Sequence, residues 1–146
     1  MPRYFTLKQA TRLLAQAGRT IREAVQAKSR YEEATDALQV LVQRIMVLGG
    51  ISLDVAYAES WKTQRDNSEV ALKTAVDKLE DMGCVVKDLD QGLIDFPTLF
   101  RGEEVYLCYR MDEDQIRFWH GVHEGFDGRR EIDAEFLRLH SGDELD

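Results

Sequence analysis

The hydrophobic period of this chain changes at Gly83-Cys84, and no other feature restricts its fold so strongly. Before that point apolar residues recur at spacings of three and four; after it they alternate. A pattern of one period cannot hold the other structure, because only the matching period places apolar side chains on one face. The chain is therefore expected to be helical first and β second, which is the order of an α+β fold.

Residues 6–48 predict a long helix. Thr6 suits the N-cap, and Gln9 three residues on completes a capping-box pattern. The seam runs Ala10, Leu14, Ala17, Ile21, Ala24, Lys28, Tyr31, Thr35, Leu38, Val42, Ile45, heptad-like with polar interruptions at Lys28 and Thr35. Gly18 lowers local helix propensity by about 1 kcal/mol relative to Ala, so a bend is expected there. Gly49-Gly50 supplies the stop. A second helix is predicted over 54–82. Asp54 can cap it, Gly83 can end it, and Ala58, Trp61, Arg65, Ser68, Leu72, Ala75, Leu79 and Met82 form its seam. The short Gly-Gly-Ile-Ser-Leu connection makes the helices antiparallel neighbours. Two helices with seams this thin bury too little to stand alone. They need a sheet or a second copy against them, and a homodimer through the helices, by four-helix packing, is the expectation.

From Cys84 the alternation predicts an antiparallel meander, because the connections are hairpin-short. Cys84–Leu89 is the first strand and Asp90-Gln91-Gly92 the turn. Leu93–Phe96 returns and is stopped by Pro97; Glu104–Arg110 and Ile116–Trp119 follow. Alternation puts Val105, Leu107, Tyr109, Ile116 and Phe118 on the core face. Tyr106, Cys108, Arg110, Arg117 and Trp119 then form an outer face suited to lining a groove. Residues 132–139 fit a short amphipathic helix, and 141–146 read as a disordered tail. The whole is a single domain over 1–146: hairpin 6–83, sheet and loop 84–132, short helix or tail 133–146.

The net charge of -8 argues against nucleic acid as a partner, since phosphates need Lys and Arg to displace their counterions. The charge is uneven: residues 1–50 carry eight Lys or Arg against four Asp or Glu, and residues 84–146 seven against sixteen. Pairing between the two regions is expected, within one molecule or across a dimer. No stretch is long enough to span a membrane, and the start lacks the unbroken apolar run of a secretory signal. Cys84 and Cys108 have neither CxxC spacing nor a framework count. A cytoplasmic protein with reduced thiols is the expectation.

Several segments together resemble a known family. Arg-Tyr-Phe-Thr-Leu near the start precedes the long helix, and residues 83–97 read Gly-Cys-Val-Val-Lys-Asp-Leu-Asp-Gln-Gly-Leu-Ile-Asp-Phe-Pro. Glu-Val-Tyr-Leu-Cys-Tyr-Arg stands at 104–110, and Phe-Trp-His at 118–120 leads to Glu-Gly-Phe-Asp-Gly-Arg at 124–129. In this order, over residues 3–132, the chain resembles a prokaryotic family catalogued as domain of unknown function 2203. The resemblance implies no activity. It implies the helix-then-sheet order, and it marks Asp88, Asp90, Gly92, Asp95, Phe96, Pro97, Trp119, His120, Glu124, Gly125, Phe126, Gly128 and Arg129 as the family's pattern. His123 falls outside it.

The residues from Trp119 to Arg130 concentrate the chemistry. His120 and Glu124, with Cys108 if its strand ends nearby, could supply ligands to a divalent metal. The order His-Gly-Val-His-Glu is not a zinc-protease motif, and Gly121 and Gly125 disfavour a helix there. The plainer reading makes His120 a hydrogen-bonded structural residue. Asp88, Asp90 and Asp95 suit turn chemistry or, in the sharper reading, acid–base work by a carboxylate pair. Glu124 and Arg129 would either pair across the loop or leave Arg129 to clamp an anion. No phosphate loop, dinucleotide fingerprint or nucleophile elbow is present. Two functions from different classes remain. One is a non-enzymatic interaction or adaptor module built on the hairpin, with an unidentified protein partner. The other is a small-ligand- or metal-binding domain, conceivably an enzyme, using Asp95, Trp119, His120, Glu124 and Arg129, with Cys108 nearby.

Overall fold

The computed structural model describes residues 3–48 and 54–143. Helix α1 spans Leu7–Leu48 and α2 spans Val55–Met82. The connection expected to turn between them lies outside the described residues. Both helix starts follow their capping signals. Thr6 Oγ1 accepts from the Gln9 N–H at 3.1 Å while Gln9 Oε1 accepts from the Thr6 N–H at 2.9 Å, a reciprocal box. The Asp54 side chain accepts from the Tyr57 N–H at 3.0 Å. At the far end of α2, Gly83 takes φ 98° and its N–H reaches the Glu80 carbonyl, the left-handed stop that glycine permits.

Helix α1 runs through Gly18 without a break. Gly18 is buried, and a Cβ there would stand 3.3 Å from the Tyr109 hydroxyl. Its role is close approach: the missing side chain lets the helix settle on the sheet.

Among the described residues six strands form one antiparallel sheet. They are β1 (Val85–Asp88), β2 (Leu93–Phe100), β3 (Glu103–Arg110), β4 (Phe118–Gly121), β5 (Arg130–Glu131) and β6 (His140–Ser141). The order is β1-β2-β3-β4-β5, and β6 pairs with the far half of β2. Asp88 Oδ1 accepts from the N–H groups of Asp90 and Gln91, which shapes the first turn as expected of Asp there. Lys28 of α1 pairs with Asp90 at that turn, one link between the basic helix and the acidic sheet half.

Pro97 does not stop β2, which continues to Phe100. Its carbonyl accepts from the Phe5 N–H at 2.7 Å. The N and O of one strand residue share an edge, so the missing Pro97 N–H falls toward the Phe5 segment, away from the β3 ladder, where proline is tolerated.

The faces of β4 differ from simple alternation. The register pairs Leu107 with Trp119 and Cys108 with Phe118. Trp119 therefore lies on the helix side and Phe118 on the outer face. Ile116 is buried in the same core as Leu107 but precedes the strand, so its position does not set the strand's parity. Helix α3 (Ala134–Leu139) is capped by Asp133 and lays Phe136 against Phe100 and Trp119, with ring centroids 5.0 and 4.9 Å apart.

Residues 141–143, expected to be disordered, are built into the fold. Gly142 packs on the Phe5–Thr6 backbone so closely that a Cβ would come within 2.6 Å, and the Asp143 N–H donates to the Tyr4 carbonyl at 2.9 Å. The core between helices and sheet holds Phe5, Ile21, Leu79, Ile94, Phe96, Leu107 and Phe136.

Candidate functional site

The sheet's outer face carries a buried polar cluster. Asp95 of β2 pairs in register with Cys108 of β3, and Tyr106 with His120 of β4. The period of two places Asp95, Tyr106, Cys108 and His120 on one face. Residues 121–130 leave β4 and return over that face through a single 3-10 turn at Phe126–Gly128. Beneath it Asp95 is 0% exposed, Cys108 2% and His120 2%.

His120 Nδ1 lies 2.8 Å from the Gly121 carbonyl, which can only accept, so Nδ1 carries the proton. Nε2 faces the Asp95 Oδ2 at 3.0 Å. That distance suits an ion pair, but the groups are not aligned for a hydrogen bond, and both Asp95 oxygens lack a hydrogen-bond partner. Burial pushes the Asp95 carboxyl upward, opposed by His120 and by Lys87 beyond it. The Cys108 thiol is pushed up to about 12 by burial and then by Asp95, while Arg129 acts the other way. The ligand-type atoms of Asp95, Cys108 and His120 all lie within 4.8 Å of one another. A cavity of about 280 Å³ adjoins them, lined also by Lys87, Gln91, Glu124 and Phe126. Chemically the arrangement can hold a cation or a shared proton between a buried carboxylate and an imidazole.

The other residues marked in the sequence have different situations. Glu124 lines the cavity, but its carboxylate accepts from the Gly121 N–H at 2.8 Å and from Arg130 at 2.9 Å. These bonds, the backbone one foremost, hold its carboxyl below the usual range. The Glu124–Arg129 pairing that the sequence suggests is replaced by Glu124–Arg130. Arg129 instead donates to both oxygens of Glu113, at 3.0 and 3.1 Å, and is held between the Phe118 and Phe126 rings. Trp119 is on the opposite face, against Phe100 and Phe136. Glu113, in the loop between β3 and β4, and Lys87 on the cavity rim were not among the residues marked in the sequence. An acid in the loop before β4 was a signal for Glu113 only once the loop's return over the sheet was known.

A larger cleft of about 650 Å³ lies between α1 and α2, lined by polar side chains such as Gln26, Arg30, Gln64 and Lys78. It contains none of the buried titratable groups, which adjoin the smaller cavity instead.

A second feature lies on the hairpin. No residue of α1 after Ala34 is buried, and the first buried residue of α2 is Ala58. At a rise of 1.5 Å per residue, the 14 positions from Thr35 to Leu48 reach about 20 Å past that last anchor. This free end exposes Val40, Val42, Ile45, Met46, Val47 and Leu48 on α1 with Val55 and Tyr57 on α2. No described helix is long and apolar enough to cross a membrane.

A long helical hairpin laid on an antiparallel sheet, with buried polar groups under a returning loop, is thus the class of fold and site. The chain belongs to the family of uncharacterised conserved proteins termed DUF2203, whose model matches residues 3–132. No curated protein and no solved structure matches the chain.

Proposed function

We propose that this chain is a non-enzymatic interaction module that forms a homodimer through the free end of its helical hairpin. The supporting observation is the run of exposed apolar side chains there. Residues 37–48 read Ala-Leu-Gln-Val-Leu-Val-Gln-Arg-Ile-Met-Val-Leu, with Arg44 the one charge. A helix apolar around most of its circumference is a helix meant to be covered, and α2 covers one side only.

A second copy is the occupant that suits this surface. Two antiparallel hairpins complete a four-helix packing around a shared apolar seam, and a surface with a single charge presents little like-charge repulsion to its own copy. The eight side chains named above are 37% to 81% exposed. Covering half of that exposure contributes about 0.5–0.9 kcal/mol each, taking 1.5–3 kcal/mol for full burial. Both copies together then gain roughly 8–14 kcal/mol, comparable with the association cost of about 4–15 kcal/mol. A reversible dimer follows. A cytoplasmic setting accords with two free, buried thiols.

Sedimentation velocity over a wide concentration range tests this. The wild type should pass from monomer to dimer. The double variant Val42→Glu/Met46→Lys, which keeps a favourable i,i+4 pair on an exposed face, should remain monomeric with unchanged helicity by circular dichroism. A wild type monomeric throughout, or a variant that dimerises equally well, would overturn the reading.

A further inference from the structure

We propose that Asp95, Cys108 and His120 form a three-ligand site for a divalent transition metal of the zinc class, its fourth position facing the cavity beside them. Because Nδ1 donates to the Gly121 carbonyl, Nε2 is the ring nitrogen left to face Asp95. There it meets a carboxylate oxygen at 3.0 Å. With the ring neutral, that contact sets a nitrogen lone pair against a carboxylate oxygen, which a proton or a bound cation between them relieves. A ligating histidine that donates its other N–H to a backbone carbonyl is the usual arrangement around zinc, since it fixes the tautomer.

The Asp95 carboxylate is the independent sign of a missing partner. It is 0% exposed, and with His120 and Cys108 close by, neither oxygen has a well-aligned hydrogen-bond partner. Leaving a buried acceptor unmatched is costly, and a carboxylate is the costliest case. The Cys108 sulfur completes the set, with all three donor atoms within 4.8 Å of one another. Bond lengths of 2.0–2.3 Å around tetrahedral zinc place donor atoms about 3.3–3.8 Å apart, so the set closes by small side-chain shifts. One nitrogen, one oxygen and one sulfur donor favour zinc over the oxygen-seeking magnesium or calcium.

Charge supports the same ion. A carboxylate and a thiolate neutralise a dication, which leaves a buried site without net charge. Arg129 beside Cys108 is already matched by Glu113, so it does not add an uncompensated cation. Three protein ligands with an adjoining space of about 280 Å³ describe an open site, in which water or a small anion would occupy the remaining position near Lys87.

The test uses the full chain, stripped with chelator and titrated with cobalt(II), followed by zinc(II) competition and elemental analysis. One metal per chain is expected, with a thiolate-to-cobalt charge-transfer band in the near ultraviolet. Cys108→Ser should abolish that band while Cys84→Ser retains it, and His120→Gln should weaken binding by at least about tenfold. The wild-type band reads the site even if a variant fails to fold. Absence of stoichiometric binding by the wild type overturns the proposal, leaving a shared proton between His120 and Asp95. So does binding that Cys108→Ser and His120→Gln leave unchanged, which would place the ion elsewhere.

Discussion

Removing the Glu113 carboxylate should cost this protein more than any single surface acid normally does. The carboxylate accepts three hydrogen bonds: two from Arg129, at 3.0 and 3.1 Å, and one from the Arg110 backbone N–H at 2.7 Å. The partners' side chains are only 12% and 13% exposed. Arg129 lies 4.1 Å from the Phe118 ring centre and 4.0 Å from that of Phe126, so water cannot readily replace the lost carboxylate. Breaking a buried pair by deleting one partner costs about 3–5 kcal/mol. The remaining exposure places Glu113→Ala at the lower end, roughly 3 kcal/mol. Glu113→Gln keeps an acceptor for Arg110 and Arg129 but loses the charge, and should cost about 1–2 kcal/mol. For a domain of this size the alanine variant should melt about 10 °C lower, at some 3 °C per kcal/mol. Urea denaturation followed by tryptophan fluorescence measures both. A cycle with Arg129→Met should give a coupling of about 1.5–3 kcal/mol. If Glu113→Ala lost less than about 1 kcal/mol, or the two substitutions simply added, the pair would not be what holds the loop over the outer face.

Two further outcomes follow from local geometry. Thr6→Ala removes one half of the capping box and should destabilise the fold by about 1 kcal/mol, read by urea denaturation, with Thr6→Ser restoring most of it. The Cys84 thiol is pushed up from 9.0 to about 12 by burial. Its raised value favours the neutral folded form, so stability is fully present below the unfolded thiol's pKa and lost as pH rises toward about 12. Cys84→Ala should flatten that alkaline decline in a pH series of thermal melts; an identical decline in the variant would count against this account.

The elements that could be read from the chain are those whose causes are local. Thr6 and Gln9, Asp54 and Tyr57, and the left-handed Gly83 each lie within a few residues of the groups they satisfy, so the starts of both helices and the end of the second were legible. The turn at Asp88 was legible for the same reason. Asp95 was legible only as one of three carboxylates around the first hairpin, and the structure puts it in the buried cluster with Cys108 and His120. Pro97 misled because its effect depends on which edge of β2 faces a neighbour, and that neighbour is Phe5, far away in sequence. Phe118 and Trp119 exchanged faces because strand parity is counted from where β4 begins, which is set by pairing with β3. Arg129 found Glu113 rather than Glu124 because the loop folds back across the sheet, a path no spacing encodes.

Sequence by itself determined the α+β order, the hairpin, the meander and the family, since helix and strand periods and capping signals act over a few residues. The tertiary structure alone decided which polar groups lose water together. That decision needs Asp95, Cys108 and His120 from three strands on one face, and a loop closed above them by Glu113 and Arg129. Desolvation is a property of the assembled neighbourhood, so the same carboxylate that reads as a turn residue in the chain becomes a fully buried group beside His120 in the fold.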